Sequence, residues 1–171
     1  MRTLTLTLAA LLLFAPALSR AQTSPRSLAL ELGFSNDSAA ALGARSPVAL
    51  VASWWLAGDL DATARAAWAF ASRTQDRAAD DSFEAGAGLR YGLARWSSLR
   101  PQLLAELSFV QVLPSALAAP ASGLRLGAGA ALEAFLGRDV SLTLVLGASR
   151  LFLVEGGGIG LAASLRAGAY F

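Results

Sequence analysis

Hydrophobic and polar residues alternate with a period of two in eight segments of this chain. Such alternation predicts a β-strand, because successive side chains of a strand point to opposite faces. The last segment is the clearest, since Leu161, Leu165 and Phe171 share one side while Arg166 and Tyr170 share the other. The predicted strands cover residues 28–35, 48–56, 60–70, 83–93, 99–109, 123–136, 140–149 and 161–171. Eight amphipathic strands predict an all-β fold, an antiparallel up-and-down transmembrane β-barrel.

The N-terminus has the pattern of an export signal. Met1 and Arg2 precede an apolar run over residues 4–18, and Ser19 and Ala21 are small residues at the positions that a signal peptidase reads. The run has about 15 residues, fewer than the roughly 20 that a membrane-spanning helix needs. We therefore predict a cleaved signal peptide at residues 1–21, a short segment at 22–27 and one barrel domain at 28–171.

The connections between the predicted strands alternate in length. Long connections cover residues 36–47, 72–82, 111–122 and 150–158, and short ones cover 57–59, 94–98 and 137–139. Long loops on one rim and short turns on the other are typical of bacterial outer-membrane barrels. With the N-terminus in the periplasm, odd-numbered strands run outward, and the C-terminus lies at the inner interface.

The aromatic residues cluster at the ends of the predicted strands, where a membrane barrel carries aromatic belts. The alternative is that they are core aromatics of a soluble β-domain. The predicted outer belt contains Phe34, Trp68, Phe70, Phe83, Phe109 and Phe152, and the predicted inner belt contains Trp54, Tyr91, Trp96 and Phe171.

Charge and composition agree with a membrane location. Charged residues make up 15% of the chain, below the roughly 25–35% recommended for a soluble surface. Once Arg2 and Arg20 are removed with the signal, the remainder of the 14 basic residues equals the 12 acidic residues. This balance leaves no basic surface for nucleic acid, so we expect no nucleic-acid partner.

If the apolar faces contact lipid, the charges on the opposite faces point into the barrel. An eight-stranded barrel has room inside for side chains and little else. Unpaired charges in that space are costly, so equal numbers of acids and arginines predict a paired structural network rather than the alternative, a narrow ion path. The predicted lumen network contains Glu31, Asp61, Arg65, Glu84, Arg90, Arg100, Glu106, Arg125, Glu133 and Arg166.

The sequence has neither histidine nor cysteine. Serine chemistry that depends on a histidine base and metal sites built from soft ligands are therefore excluded. Asp76, Asp80 and Asp81 lack the spacing and the glycine of a calcium loop. We predict no catalytic residue, no cofactor and no metal site.

Signal peptide, amphipathic strands, alternating loops, aromatic belts and the terminal Phe171 together resemble small outer-membrane barrels of the OmpX and OmpA-domain type. The resemblance implies that the barrel assembly machinery reads Leu161, Leu165, Tyr170 and Phe171, and that outer-membrane lipid surrounds the barrel. Alanine at many lipid-facing positions and Tyr170 in the inward phase depart from that family.

Three functions follow from these patterns. The first is a structural or interaction barrel in the outer membrane, with loops that face an envelope or extracellular partner. The second is a small channel or transporter, which needs a hydrated lumen. The third is an exported soluble barrel that binds an apolar ligand, as lipocalin-like proteins do. In that third case every strand face is inverted, a change equivalent to one step of register.

Overall fold

The computed structural model describes residues 26–38, 43–71, 81–94, 96, 98–113, 121–153 and 156–171. The predicted signal peptide lies outside the described residues, and so do Asp76 and Asp80. Within the described ranges, no helix has the length and apolar character needed to cross a membrane.

All eight predicted segments form strands, and the strands close into a single antiparallel barrel in chain order. The barrel closes where the first strand pairs with the last along its whole length, from Ser27 opposite Tyr170 to Asp37 opposite Gly160. The predicted fold class is therefore confirmed. The strands are β1 (Ser27–Asp37), β2 (Gly43–Ala57), β3 (Leu60–Ala71), β4 (Asp81–Gly92), β5 (Leu99–Leu113), β6 (Ser122–Phe135), β7 (Val140–Leu153) and β8 (Gly156–Tyr170).

The apolar faces of the strands point outward and the polar faces point inward. Leu30 is 48% exposed and Leu50 is 64% exposed, whereas the neighbouring inward Glu31 is buried. The lipocalin-like alternative requires the opposite arrangement, so its prediction of inverted faces is wrong. The outer wall of this barrel is apolar and its lumen is polar.

All four long connections predicted from the sequence are too long, because the strands continue into them, and the change is smallest at 72–82, where β4 begins at Asp81. Asn36 pairs with Ala44, and Asp37 pairs with Gly43, so the predicted connection at 36–47 is mostly strand. Likewise β5 continues to Leu113, and β7 continues to Leu153. At the ends of β1 and β2, Asp37 and Arg45 look like loop residues, yet they keep the period-two phase and place their side chains in the lumen.

An exposed tryptophan contacts the turn between β2 and β3. A shift of register between Trp55 and Ala57 forms a β-bulge, and Gly58 adopts a left-handed φ of 53° in the two-residue turn that follows. Trp55, just before the bulge, is 50% exposed, and its indole Nε1 donates a hydrogen bond to the Gly58 carbonyl at 3.0 Å. Trp55 thus adds a second tryptophan beside Trp54 of the predicted inner belt.

The inward residues near the outer ends of β5 and β7 form a small apolar cluster. Val110, Val112 and Leu151 are fully or almost fully buried, and Ala121 and Leu153 pack against them. This cluster lies beside the outermost charged residues, because Val110 is directly opposite Glu84 and Leu151 is directly opposite Arg125. Charged and apolar side chains therefore share the outer part of the lumen.

Two inward glycines of β6 give a matched test of wall packing. A Cβ at Gly129 would lie 2.5 Å from the Leu146 carbonyl oxygen, whereas a Cβ at Gly127 meets nothing closer than 3.8 Å. We expect Gly129→Ala to lower the free energy of unfolding by about 1–3 kcal/mol, since overpacking forces backbone shifts.

The matched variant Gly127→Ala should stay within about 0.5 kcal/mol of the native protein, because its methyl group has free space. Urea unfolding of the barrel folded in lipid vesicles measures both variants. Equal unfolding midpoints for the two would contradict the packing described for β6.

Candidate functional site

The ten charges predicted for the lumen all lie on inward positions of the strands. The structure adds two that the sequence analysis assigned to a loop, Asp37 and Arg45, which are 3% and 0% exposed. Extending the alternation of β1 by two positions and that of β2 by three would have found them. One acid and one arginine enter together, so the balance of charge in the lumen is kept.

The outer layer of the network shares two arginines between two carboxylates. Arg45 bonds to Asp37 and to the Ser82 hydroxyl, and its Nη1 lies 3.6 Å from Glu84 Oε1. Arg125 donates to the two Asp37 oxygens at 3.1 and 3.2 Å and lies 3.2 Å from Glu84 Oε1. The outer layer thereby cross-links β1, β2, β4 and β6.

The middle layer centres on one arginine that contacts three carboxylates. The Arg65 guanidinium lies 3.1 Å from Glu31, 3.5 Å from Glu84 and 3.7 Å from Glu106. Arg166 of β8 pairs with the other oxygen of Glu31 on β1. A planar guanidinium with five donors suits this sharing, and the last contact joins the two strands that close the barrel.

The inner layer reverses this ratio, with one carboxylate among three arginines. Asp61 is fully buried and accepts hydrogen bonds from Arg90 at 2.9 and 3.2 Å and from Arg26 at 3.2 Å. Arg100 Nη1 lies 3.5 Å from Asp61 and Arg100 Nη2 donates to the Asp59 carbonyl at 3.2 Å. The turn between β2 and β3 is thus anchored to the lumen.

Glu133 was predicted to belong to a network of paired acids and arginines, but neutral groups bind its carboxylate. Gln102 Nε2 donates at 2.6 Å, the Ser141 hydroxyl at 2.9 Å and the Tyr170 hydroxyl at 2.5 Å. The Tyr170 ring also lies 5.6 Å from the Phe135 ring. Tyr170 therefore links the C-terminal strand to the interior, which explains its inward phase.

A cavity of about 130 Å³ lies beside the middle layer. Glycines of β6 and β7 form part of its wall, together with serine side chains and Glu106. A buried water needs roughly 10–15 Å³ of such volume, so several waters fit here. The wall residues include Gly127, Gly129, Gly147, Ser108, Ser149 and Ser164.

The described part of the chain offers little for chemistry. It contains no group of three or more acidic, histidine or cysteine side chains arranged to hold a metal ion. Asp81 begins β4, while the other two aspartates considered for calcium lie outside the described residues. The arrangement that the structure does provide is a set of mutually bonded charges.

The outer layer gives a direct test of the lumen network. Arg125→Leu leaves Asp37 and Glu84 with one arginine fewer in a buried setting, so we expect a loss of about 3–5 kcal/mol in unfolding free energy. Arg90→Leu should behave similarly through Asp61. Neither change should open a stable current in a planar bilayer, because the other layers remain.

The control for both variants is Arg138→Leu, which removes an exposed arginine from the turn between β6 and β7. Its urea midpoint should match that of the native barrel. A stable, selective conductance that appears or changes in Arg125→Leu or Arg90→Leu would count against a purely structural network.

No family model matches the sequence, and no curated protein matches it either. Solved structures do resemble the barrel. Neisserial surface protein A is 16% identical, with 85% of this chain and 96% of that chain covered and a TM-score of 0.66. The N-terminal β-barrel domain of Pseudomonas aeruginosa OprF is 14% identical over 86% and 98%, with a TM-score of 0.62. The outer membrane enzyme PagL is 15% identical over 84% and 99%, with a TM-score of 0.57. The chain thus has the fold of the small eight-stranded outer-membrane barrels.

Proposed function

We propose that the protein is an exported, structural or interaction barrel of a Gram-negative outer membrane. Its cross-linked charged lumen stabilises the barrel, and the loops on the outer rim face an envelope or extracellular partner. The observation that carries this proposal is the combination of an apolar outer wall with a lumen in which acids and arginines bind one another.

The outer wall supports a location in lipid. Leucines and aromatic residues are exposed on every strand, from Leu28 on β1 to Leu165 on β8. Monomeric soluble proteins rarely expose contiguous apolar patches beyond a few hundred Å². A closed sheet also satisfies its backbone hydrogen bonds internally, as the hydrocarbon core of a bilayer requires.

The layered lumen argues for a role without conduction. Charged side chains bridge opposite walls in three layers, and the buried apolar side chains of Val110, Val112 and Leu151 fill further space beside the outer layer. A second candidate, a small channel or transporter, is favoured by one observation only, the cavity of about 130 Å³ beside the middle layer. An ion would have to displace bonded charges to pass beyond it.

We also propose that the protein has no catalytic activity. The barrel fold alone does not decide this, because one of the similar structures is an outer membrane enzyme. Residue types support the proposal, since the chain has no histidine to act as a base for its serines. Among the described residues, the Ser141 hydroxyl donates to the Glu133 carboxylate, but Gln102 and Tyr170 bind the same carboxylate and both Ser141 and Glu133 are buried.

The primary test separates inner from outer membranes of expressing cells and compares boiled with unboiled samples on a gel. We expect the protein in the outer membrane, with a mobility shift on boiling, because a closed barrel resists denaturation by detergent. The matched control is Arg138→Leu, which should behave as the native chain does. A soluble periplasmic protein without a shift would contradict the proposal.

Planar-bilayer recording distinguishes the two candidate functions. We expect no stable conductance from the native barrel, with an established porin in the same chamber as the positive control. A reproducible ion-selective current would favour the channel and would overturn the non-conducting role while leaving the membrane location intact.

Variants of Phe171 test whether this residue is part of the signal that the barrel assembly machinery reads. Phe171 is 79% exposed beyond the end of β8, and we expect its deletion to lower the outer-membrane amount severalfold while export to the periplasm continues. Phe171→Trp, which keeps an aromatic terminus, is the control. Quantitative blots of periplasm and outer membrane measure both, and equal outer-membrane amounts of the deleted and native forms would refute this role.

A further inference from the structure

Arg150 is the one charged residue that faces outward from the interior of the described strands. It pairs with Leu126 on β6 and with Ile159 on β8, which are both exposed on the outer wall. Its neighbour Leu151 points the other way and is fully buried. The other charges within the described strands face the lumen, apart from Asp81 at the first position of β4.

The surroundings of Arg150 supply no counter-charge. The guanidinium carbon lies 5.8 Å from the centre of the Phe152 ring, and the cross-strand neighbours Leu126 and Ile159 are aliphatic. No carboxylate among the described residues lies within ion-pair distance of it, and Glu155 falls outside those residues. A permanent positive charge on an apolar wall therefore requires a partner from outside the described protein.

The level of Arg150 in the barrel indicates which partner this is. Arg150 precedes the outer end of β7 by three residues, and Phe152 beside it belongs to the predicted outer aromatic belt. Aromatic belts mark the level of lipid headgroups. An arginine at that depth extends its apolar stem along the wall and places its guanidinium among the headgroups. The planar guanidinium binds phosphate through two parallel hydrogen bonds.

We propose that Arg150 binds the phosphate of an anionic lipid in the outer leaflet. This inference rests on the proposed function, because it needs the barrel in a membrane. The aliphatic residues on either side of Arg150 contact the acyl chains of the same lipid, so charge and apolar surface together select a lipid rather than a soluble anion. Gly157, opposite Phe152 on β8, has no side chain to cover the ring from that side.

The test uses the native barrel and Arg150→Gln in vesicles of phosphatidylcholine doped with phosphatidylglycerol. After release from the vesicles, native mass spectrometry measures the ratio of barrel with one retained phosphatidylglycerol to barrel with none. One arginine at a membrane surface contributes about 1 kcal/mol toward anionic lipid, so Arg150→Gln should lower this ratio about fivefold. Arg150→Lys should keep part of the retention.

Two control variants show whether lipid retention depends on Arg150 itself. Arg138→Gln removes an exposed arginine at the opposite end of the barrel and should leave the retained lipid unchanged. Glu155→Gln should also leave it unchanged. A severalfold rise in Glu155→Gln would show that this carboxylate occupies the guanidinium in the native protein and would overturn the proposal.

Two further comparisons distinguish binding of a lipid from binding of a free anion. In pure phosphatidylcholine vesicles, inorganic phosphate should produce no adduct that depends on Arg150. Such an adduct, or equal phosphatidylglycerol retention by native and Arg150→Gln barrels, would overturn the proposal. The variant should still insert and shift on boiling, so failure of lipid binding is distinguishable from failure of the outer-membrane assignment.

Discussion

The width of an eight-stranded barrel is the constraint on which the rest of this structure depends. A lumen of this size cannot hydrate a charged side chain fully, so each inward charge must find a partner on another strand. The chain meets that condition with layers of different composition. Arg65 serves three carboxylates, whereas Asp61 serves three arginines, and neither layer would be satisfied by isolated pairs.

Small wall residues make this crowding feasible. A Cβ at Gly92 would meet the Arg100 guanidinium, with Nη2 at 2.7 Å and the central carbon at 2.9 Å. The glycine therefore provides the volume in which a long side chain lies against the wall. Where glycines on β6 and β7 face no such side chain, the cavity beside Glu106 is left over. The lumen is therefore filled where an arginine side chain lies against a glycine, and it contains a cavity where glycines have no such neighbour.

Alternation in the sequence was sufficient to predict the eight strands, their phase and the inward charges, because a period of two is local information. It failed where composition suggested a loop, and so it missed the buried pair Asp37 and Arg45 and the bulge between Trp55 and Ala57. Alternation also could not predict which side chains in the lumen bind one another. Arg100 lies directly opposite Glu133 on the neighbouring strand, yet it bonds toward Asp59, and Glu133 takes neutral donors instead. Such choices depend on stagger and side-chain length across the whole lumen.

The contact between Arg166 and Glu31 has a consequence for how the barrel is made. The two residues are 135 positions apart in the chain, and they meet only when β8 reaches β1. Contacts of such long range form late, since a long loop must close first. Until then, both side chains belong to an open sheet edge in or near hydrocarbon, where an unpaired ion is expensive. Entry into the bilayer and closure of the seam are therefore expected to proceed as one concerted step, without an inserted but open intermediate.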